Sequence, residues 1–169
     1  MIAQYLGDEP LTLAEVKLQC RVDGDDEDAY FEGVLIPAAR ALAEEVSGSA
    51  IRKARYIEQA TDAGYSVLAR GGVIDVEAVT ANGDAVPFVV AQSGRRTLVQ
   101  ASGFAGRVAQ ITYTAGVDIT VHSGVRAWML LVVAWLYANR ELMGQREGAK
   151  APPHISAALL SSINVQPGF

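Results

Sequence analysis

The spacing of apolar residues changes period twice along the chain, dividing it into a helical start, a strand-like middle and a helical end. Leu13, Val16 and Cys20 share one side of a helix predicted over residues 12–21. Thr12, with Glu15 three positions later, supplies a capping box at its start. Phe31, Leu35, Ala38, Leu42 and Val46 recur at spacings of three and four and predict a second amphipathic helix over 27–47, stopped by Gly48. Pro37 falls inside that pattern. Its ring removes a backbone donor and crowds the preceding turn, so a kink is expected there.

From about residue 54 the apolar residues arrive in short β-branched runs separated by Gly, Asn and Asp, which is strand chemistry. Asn82-Gly83 lies between the runs 76–80 and 86–91 and signals a tight hairpin. Further strands are expected at 97–100 and 107–113. Helix returns over 121–143, with Thr120 or Ser123 as cap and a centre, Trp128 to Leu136, that is apolar on all sides. Gly144 to Pro153 reads as a loop. A short last helix is predicted over 153–161, with Pro153 in its first turn and Ile155, Leu159 and Leu160 as its apolar contacts. Helices at both ends with strands between them give an α+β fold. The expected division is a helical body of residues 1–54 and 116–169 around an antiparallel β insertion of 55–115.

Charge and composition narrow the function mainly by exclusion. The formal charge is −5, from 14 basic and 19 acidic residues without a Lys/Arg run, so strong phosphate neutralisation is not expected. A mildly acidic wall would still let a polyanion slide past it. The lone Cys20 cannot close an internal disulfide, and on an amphipathic helix it reads as a small hydrophobe. The N-terminus lacks the pattern of a secretory signal. The most apolar run, 127–138, is well short of the roughly 20 residues that cross a bilayer, so no membrane association is expected.

Catalytic and metal chemistry find little support. His122 and His154 stand at no ligand spacing; the first reads as a helix-start residue, the second as part of a solvated turn. The acidic run 23–28 has the oxygen-rich look of a calcium loop, but its Gly is misplaced and Val34 occupies the closing position, so a helix-capping loop is the better reading. Gly71-Gly72, and Gly103 with Gly106, lack the strand, Lys and helix that a phosphate cradle needs, and read as turns. No cofactor, metal site or catalytic residue is expected. Trp128 and Trp135 are seven apart, on one helix face with Leu131, and suit either a core or an inter-subunit seam.

Three passages together carry a likeness: Leu11 to Asp23 with the acidic run after it, Ile36 to Gly48, and Val125 to Glu141. In order and spacing they resemble the head-tail connector, or adaptor, family of long-tailed phages, prophages and gene transfer agents. That family has a "leucine, x, leucine, x, glutamate, x, lysine" opening helix, an acidic turn, and a late "leucine, tyrosine, x, asparagine, arginine, glutamate". Here the late positions are Leu136, Tyr137, Asn139, Arg140 and Glu141. Tyr113-Thr114-Ala115-Gly116 matches the sheet ending of the longer members.

The resemblance implies a non-enzymatic virion subunit at the neck, assembled from the host cytoplasm. It implies a homo-oligomeric ring of roughly twelve copies, monomeric or not when free, with DNA passing through without sequence-specific binding. The portal and a stopper or tail completion protein would be its partners. The candidate interface residues are Trp128, Trp135, Arg140, Ile155 and Phe169, with the segment after Pro153 reaching the portal. Two alternatives stay open: another neck protein, or a small cytoplasmic enzyme or ligand-binding domain using a pocket between sheet and long helix. Stoppers tend towards barrels with little helix, which favours the adaptor.

Overall fold

The computed structural model describes residues 1–60, 64–101, 108–140 and 158–165. The chain forms two units: residues 1–8, 48–117 and 163–169 make a sheet unit, and residues 9–47 and 118–162 a helical unit. The fold is α+β, as its periodicity predicts. The sheet unit takes in residues 1–8 and 163–169, which the expected division had placed in the helical body.

The helical unit begins with α1 (Leu13–Cys20), closed at its start by the Thr12–Glu15 capping box and at its end by Arg21 in the left-handed conformation. A short helical turn, α2 (Asp28–Tyr30), leads into a π-turn (Phe31–Leu35) and then α3 (Ile36–Ser47). The Ile36 N–H bonds back to the Phe31 carbonyl, five residues away. This wide turn sits where Pro37 would otherwise press on the carbonyl four residues before it, so it is the local form of the expected irregularity.

The extra residue offsets the helical phase by about 100°. As a result the predicted face is only half right. Phe31 and Leu35 are buried, but α3 continues the core with Ile36, Ala39 and Ala43, while Leu42 and Val46 are 40% and 44% exposed.

The long helix α4 (Ser123–Ala138) packs on α1 and α3. Its N-cap is His122, which makes no side-chain cap bond, and the proposed cap Thr120 instead donates its hydroxyl to Asp118 at 2.7 Å. Residues 141–143 of the predicted helix lie outside the described residues. So do Pro153, His154 and Ile155 of the predicted last helix; of the rest, residues 158–160 form a 3₁₀ turn. Gly124 lets that turn come close, because a Cβ there would stand 2.6 Å from the Leu159 carbonyl oxygen.

The sheet unit holds two antiparallel sheets. The larger, in the order β1-β2-β8-β4-β5, comprises β1 (Ile2–Tyr5), β2 (Ala54–Ala60), β8 (Ala109–Ala115), β4 (Val73–Ala81) and β5 (Asp84–Ala85). The smaller, in the order β3-β7-β6, comprises β3 (Tyr65–Val67), β7 (Arg96–Ala101) and β6 (Phe88–Ser93). Asn82 and Gly83, both at positive φ, form the expected hairpin turn between β4 and β5. The pairing lasts only two residues. Pro87 cannot donate to a ladder, and the chain then enters the smaller sheet as β6. Both sheets feed one core, including Tyr56, Val79, Ile111 and Tyr113 from the larger and Val99 and Ala101 from the smaller.

Candidate assembly surface

The residues that carry the adaptor resemblance converge on ties inside the helical unit. Glu15, besides closing the capping box, pairs with Arg126 of α4. Lys17 Nζ reaches Asp28 at 2.6 Å, fixing the acidic run to α1. At the end of α4, Tyr137 donates its hydroxyl to Glu27 at 2.6 Å, and Arg140 Nη1 donates to the other oxygen of the same carboxylate at 2.5 Å. The Arg140 guanidinium also lies 4.2 Å from the centre of the Tyr137 ring and 4.9 Å from that of Tyr30. Tyr137 stacks on Phe31 with ring centres 5.0 Å apart.

Charge-assisted bonds set the protonation states in this cluster. The bond from Arg140, then that from Tyr137, holds the Glu27 carboxyl at about 2, well below its usual range. The same carboxylate raises Tyr137 and Arg140. Asn139 closes the helix end by donating to the Trp135 carbonyl at 2.8 Å. The acidic run is therefore part clamp and part exposed tip, with Asp23, Asp25 and Asp26 facing solvent. Among the described residues no group of three or more metal-type side chains gathers.

A second ionic group was missed in the sequence. Arg40 on α3 is 6% exposed, yet donates to Glu44 at 2.9 Å and to Glu9 at 2.8 Å. The four-residue spacing of Arg40 and Glu44 was visible, but only the phase shift at the π-turn places that pair inward.

The candidate interface residues separate. Trp128 is 3% exposed and belongs to the core of the helical unit; its indole N–H has no acceptor among the described residues. Trp135 is half-buried, and Leu131, expected beside the two indoles, is exposed. Arg140 is exposed and already committed to Glu27. Ile155 and Phe169 lie outside the described residues. Cys20 is half-buried, with its thiol pushed up chiefly by burial.

The sheet-ending motif is equally structural. Tyr113 donates to Glu58 and stacks on Tyr56, Thr114 donates to Glu77, and Ala115 is fully buried. Gly116 lies against the Lys53 backbone, where a Cβ would come within 2.6 Å of the Lys53 Cα. The end of the described chain is also tied down. Ser49 donates to the Ile163 carbonyl, and Arg96 donates through Nε and Nη2 to the Val165 carbonyl at 3.0 and 2.8 Å.

Charge divides unevenly between the units. The sheet unit holds seven basic and six acidic residues, a formal +1, and the helical unit seven and thirteen, a formal −6. No described helix is long and apolar enough to cross a membrane.

Comparison with known proteins places the fold. No family model and no curated protein matches the chain. Among solved structures it is similar to a chain in the neck of an empty gene transfer agent particle, at 18% identity and a TM-score of 0.66, covering all of this chain and 97% of the other. It is likewise similar to a chain in the virion of a native gene transfer agent particle, at 21% identity, a TM-score of 0.66 and the same coverage. The chain thus shares its fold, over its full length, with chains of gene transfer agent particles.

Proposed function

We propose that this protein is a structural head-tail connector subunit, without catalysis, that assembles into a ring between the portal and the tail of a tailed phage, prophage or gene transfer agent. The observation that carries this reading is the full-length likeness of fold to chains of a gene transfer agent neck and virion. The adaptor-like passages support it, because their residues lie in the Glu15–Arg126, Lys17–Asp28 and Glu27–Tyr137–Arg140 ties that define the helical unit. The helical unit, at −6, suits a channel wall along which a polyanion slides without sticking. Leu42, Val46 and Leu131 give it exposed apolar contacts for a head-to-tail interface, which closes into a ring when its rotation permits. The partners are the portal, further copies of the chain, and a stopper or tail completion protein.

The test is deletion of the gene from its particle-producing strain. DNA-filled heads without attached tails, restored by the gene in trans, are the expected outcome. Normal tailed particles in its absence would exclude the reading.

A further inference from the structure

Residues 163–165 sit in a slot that the sheet unit builds without them. Its floor is a short parallel bridge between Ser49 and Gly71. The Gly71 N–H donates to the Gly48 carbonyl and the Ala50 N–H to the Gly71 carbonyl, both at 3.1 Å. Val67, Leu68 and Ala69 line the slot beside Arg96 of β7, and the Leu68 N–H is fixed to the Thr97 carbonyl at 2.9 Å. None of these backbone bonds involves residues 163–165.

Three successive carbonyls of the chain's end accept side-chain donors here. Ile163 accepts from Ser49, Asn164 from Arg95 at 3.4 Å, and Val165 from Arg96 through Nε and Nη2. Every residue type carries a carbonyl, so these bonds read the main chain and not the sequence. Side chains are read at two points. Ile163 is 4% exposed, and Val165 lies so close to Gly71 that a Cβ there would stand 2.5 Å from its Cγ1. The slot therefore fits a short peptide with apolar residues two apart, the main chain supplying affinity and the two side chains selectivity.

The hold is weaker than that of the surrounding sheets. Among the described residues, 163–165 pair with no strand, and Arg95 and Arg96 donate from exposed positions. Segments with few ladder bonds and exposed hydrogen bonds open at a lower free energy than the core. We propose that residues 163–165 are a latch on a preformed peptide slot, closed in the free chain and able to open while both sheets stay folded. The open slot takes another peptide of the same Ile-x-Val type. This inference uses the sheet unit alone and stands or falls apart from the ring reading.

The test is NMR on the full chain carrying Ile163→Ser and Val165→Ser, which removes both apolar anchors. Signals of Ile111 and Tyr113 should stay in place while those of Gly71 and Arg96 move. Amidated Ser-Ser-Ile-Asn-Val should then return them saturably towards their wild-type positions. The wild-type chain, its slot already filled, should need about tenfold more peptide or beyond. Adding Arg96→Ala to the open variant should weaken peptide binding about tenfold. If the double variant unfolds, the same readouts are taken on the milder Val165→Ala. Unmoved Gly71 and Arg96 signals, no saturable binding by a chain with intact sheets, or binding indifferent to Arg96→Ala would overturn the proposal. So would loss of the Ile111 and Tyr113 signals in both variants, because the segment would then belong to the cooperative fold of the sheets.

Discussion

The sheet unit and the helical unit of this chain are stabilised in different ways. Strands β2, β8 and β4 pair over nearly their whole lengths, around a core with Ile111 and Tyr113 fully buried. The helical unit is tied by side chains far apart in sequence, Glu9 to Arg40, Glu15 to Arg126 and Glu27 to Arg140. Backbone ladders and apolar burial resist salt and pH. Exposed ion pairs are each worth only about 0–1 kcal/mol and are screened by salt. The part of the molecule proposed to form the ring thus adds long-range ionic ties to an apolar core that includes Val16, Phe31, Val125 and Met129.

The largest expected effect falls in the sheet unit. Ile111→Ala should cost about 4 kcal/mol by chemical denaturation, since it empties a fully enclosed site. A loss below about 1 kcal/mol would mean that the two sheets do not share a tight core. In the helical unit, Arg40→Ala should cost about 3 kcal/mol, because it breaks the buried Arg40–Glu44 ion pair from one side. If that variant matched the effect of an exposed-pair mutation, the contrast between one buried ionic group and several surface ties would fall.

The face inversion on α3 gives a sharper pair. Ala39→Leu overfills a closed position and should cost about 2 kcal/mol. Leu42→Glu should cost less than about 0.5 kcal/mol in the free chain, because Leu42 faces outward. The opposite ranking would show that the core follows the simple amphipathic period.

The smallest effect on stability, and the most specific, concerns Glu27. Its carboxyl titrates at about 2 in the folded chain against 4.5 ordinarily, so its clamp stabilises the fold fully above about pH 4.5 and fades as pH falls towards 2. Carbon-detected titration should show this midpoint, and Arg140→Ala should bring it back towards the ordinary value.

Much of the fold is legible in local pattern. The capping box at Thr12, the Asn82-Gly83 turn and the apolar period of 121–138 all rest on residues near in sequence. The failures are non-local. Phe31 to Val46 follow a single period on paper, but the turn ahead of Pro37 breaks the phase, and only packing decides where the break falls. β1 carries four residues, too few for a periodic signal, and is recruited by pairing with β2. At the candidate site, Tyr137 and Arg140 stood out by their resemblance to a motif, whereas their anchor Glu27 lies 110 and 113 residues earlier in an acidic run that gives no sign which carboxylate is used.

The central claim is most directly tested by a cryo-EM map of the intact particle neck. A closed ring of this chain at the head-tail junction, with its helical unit lining the DNA channel, is the predicted result. A neck whose density is fully accounted for by other chains would contradict it.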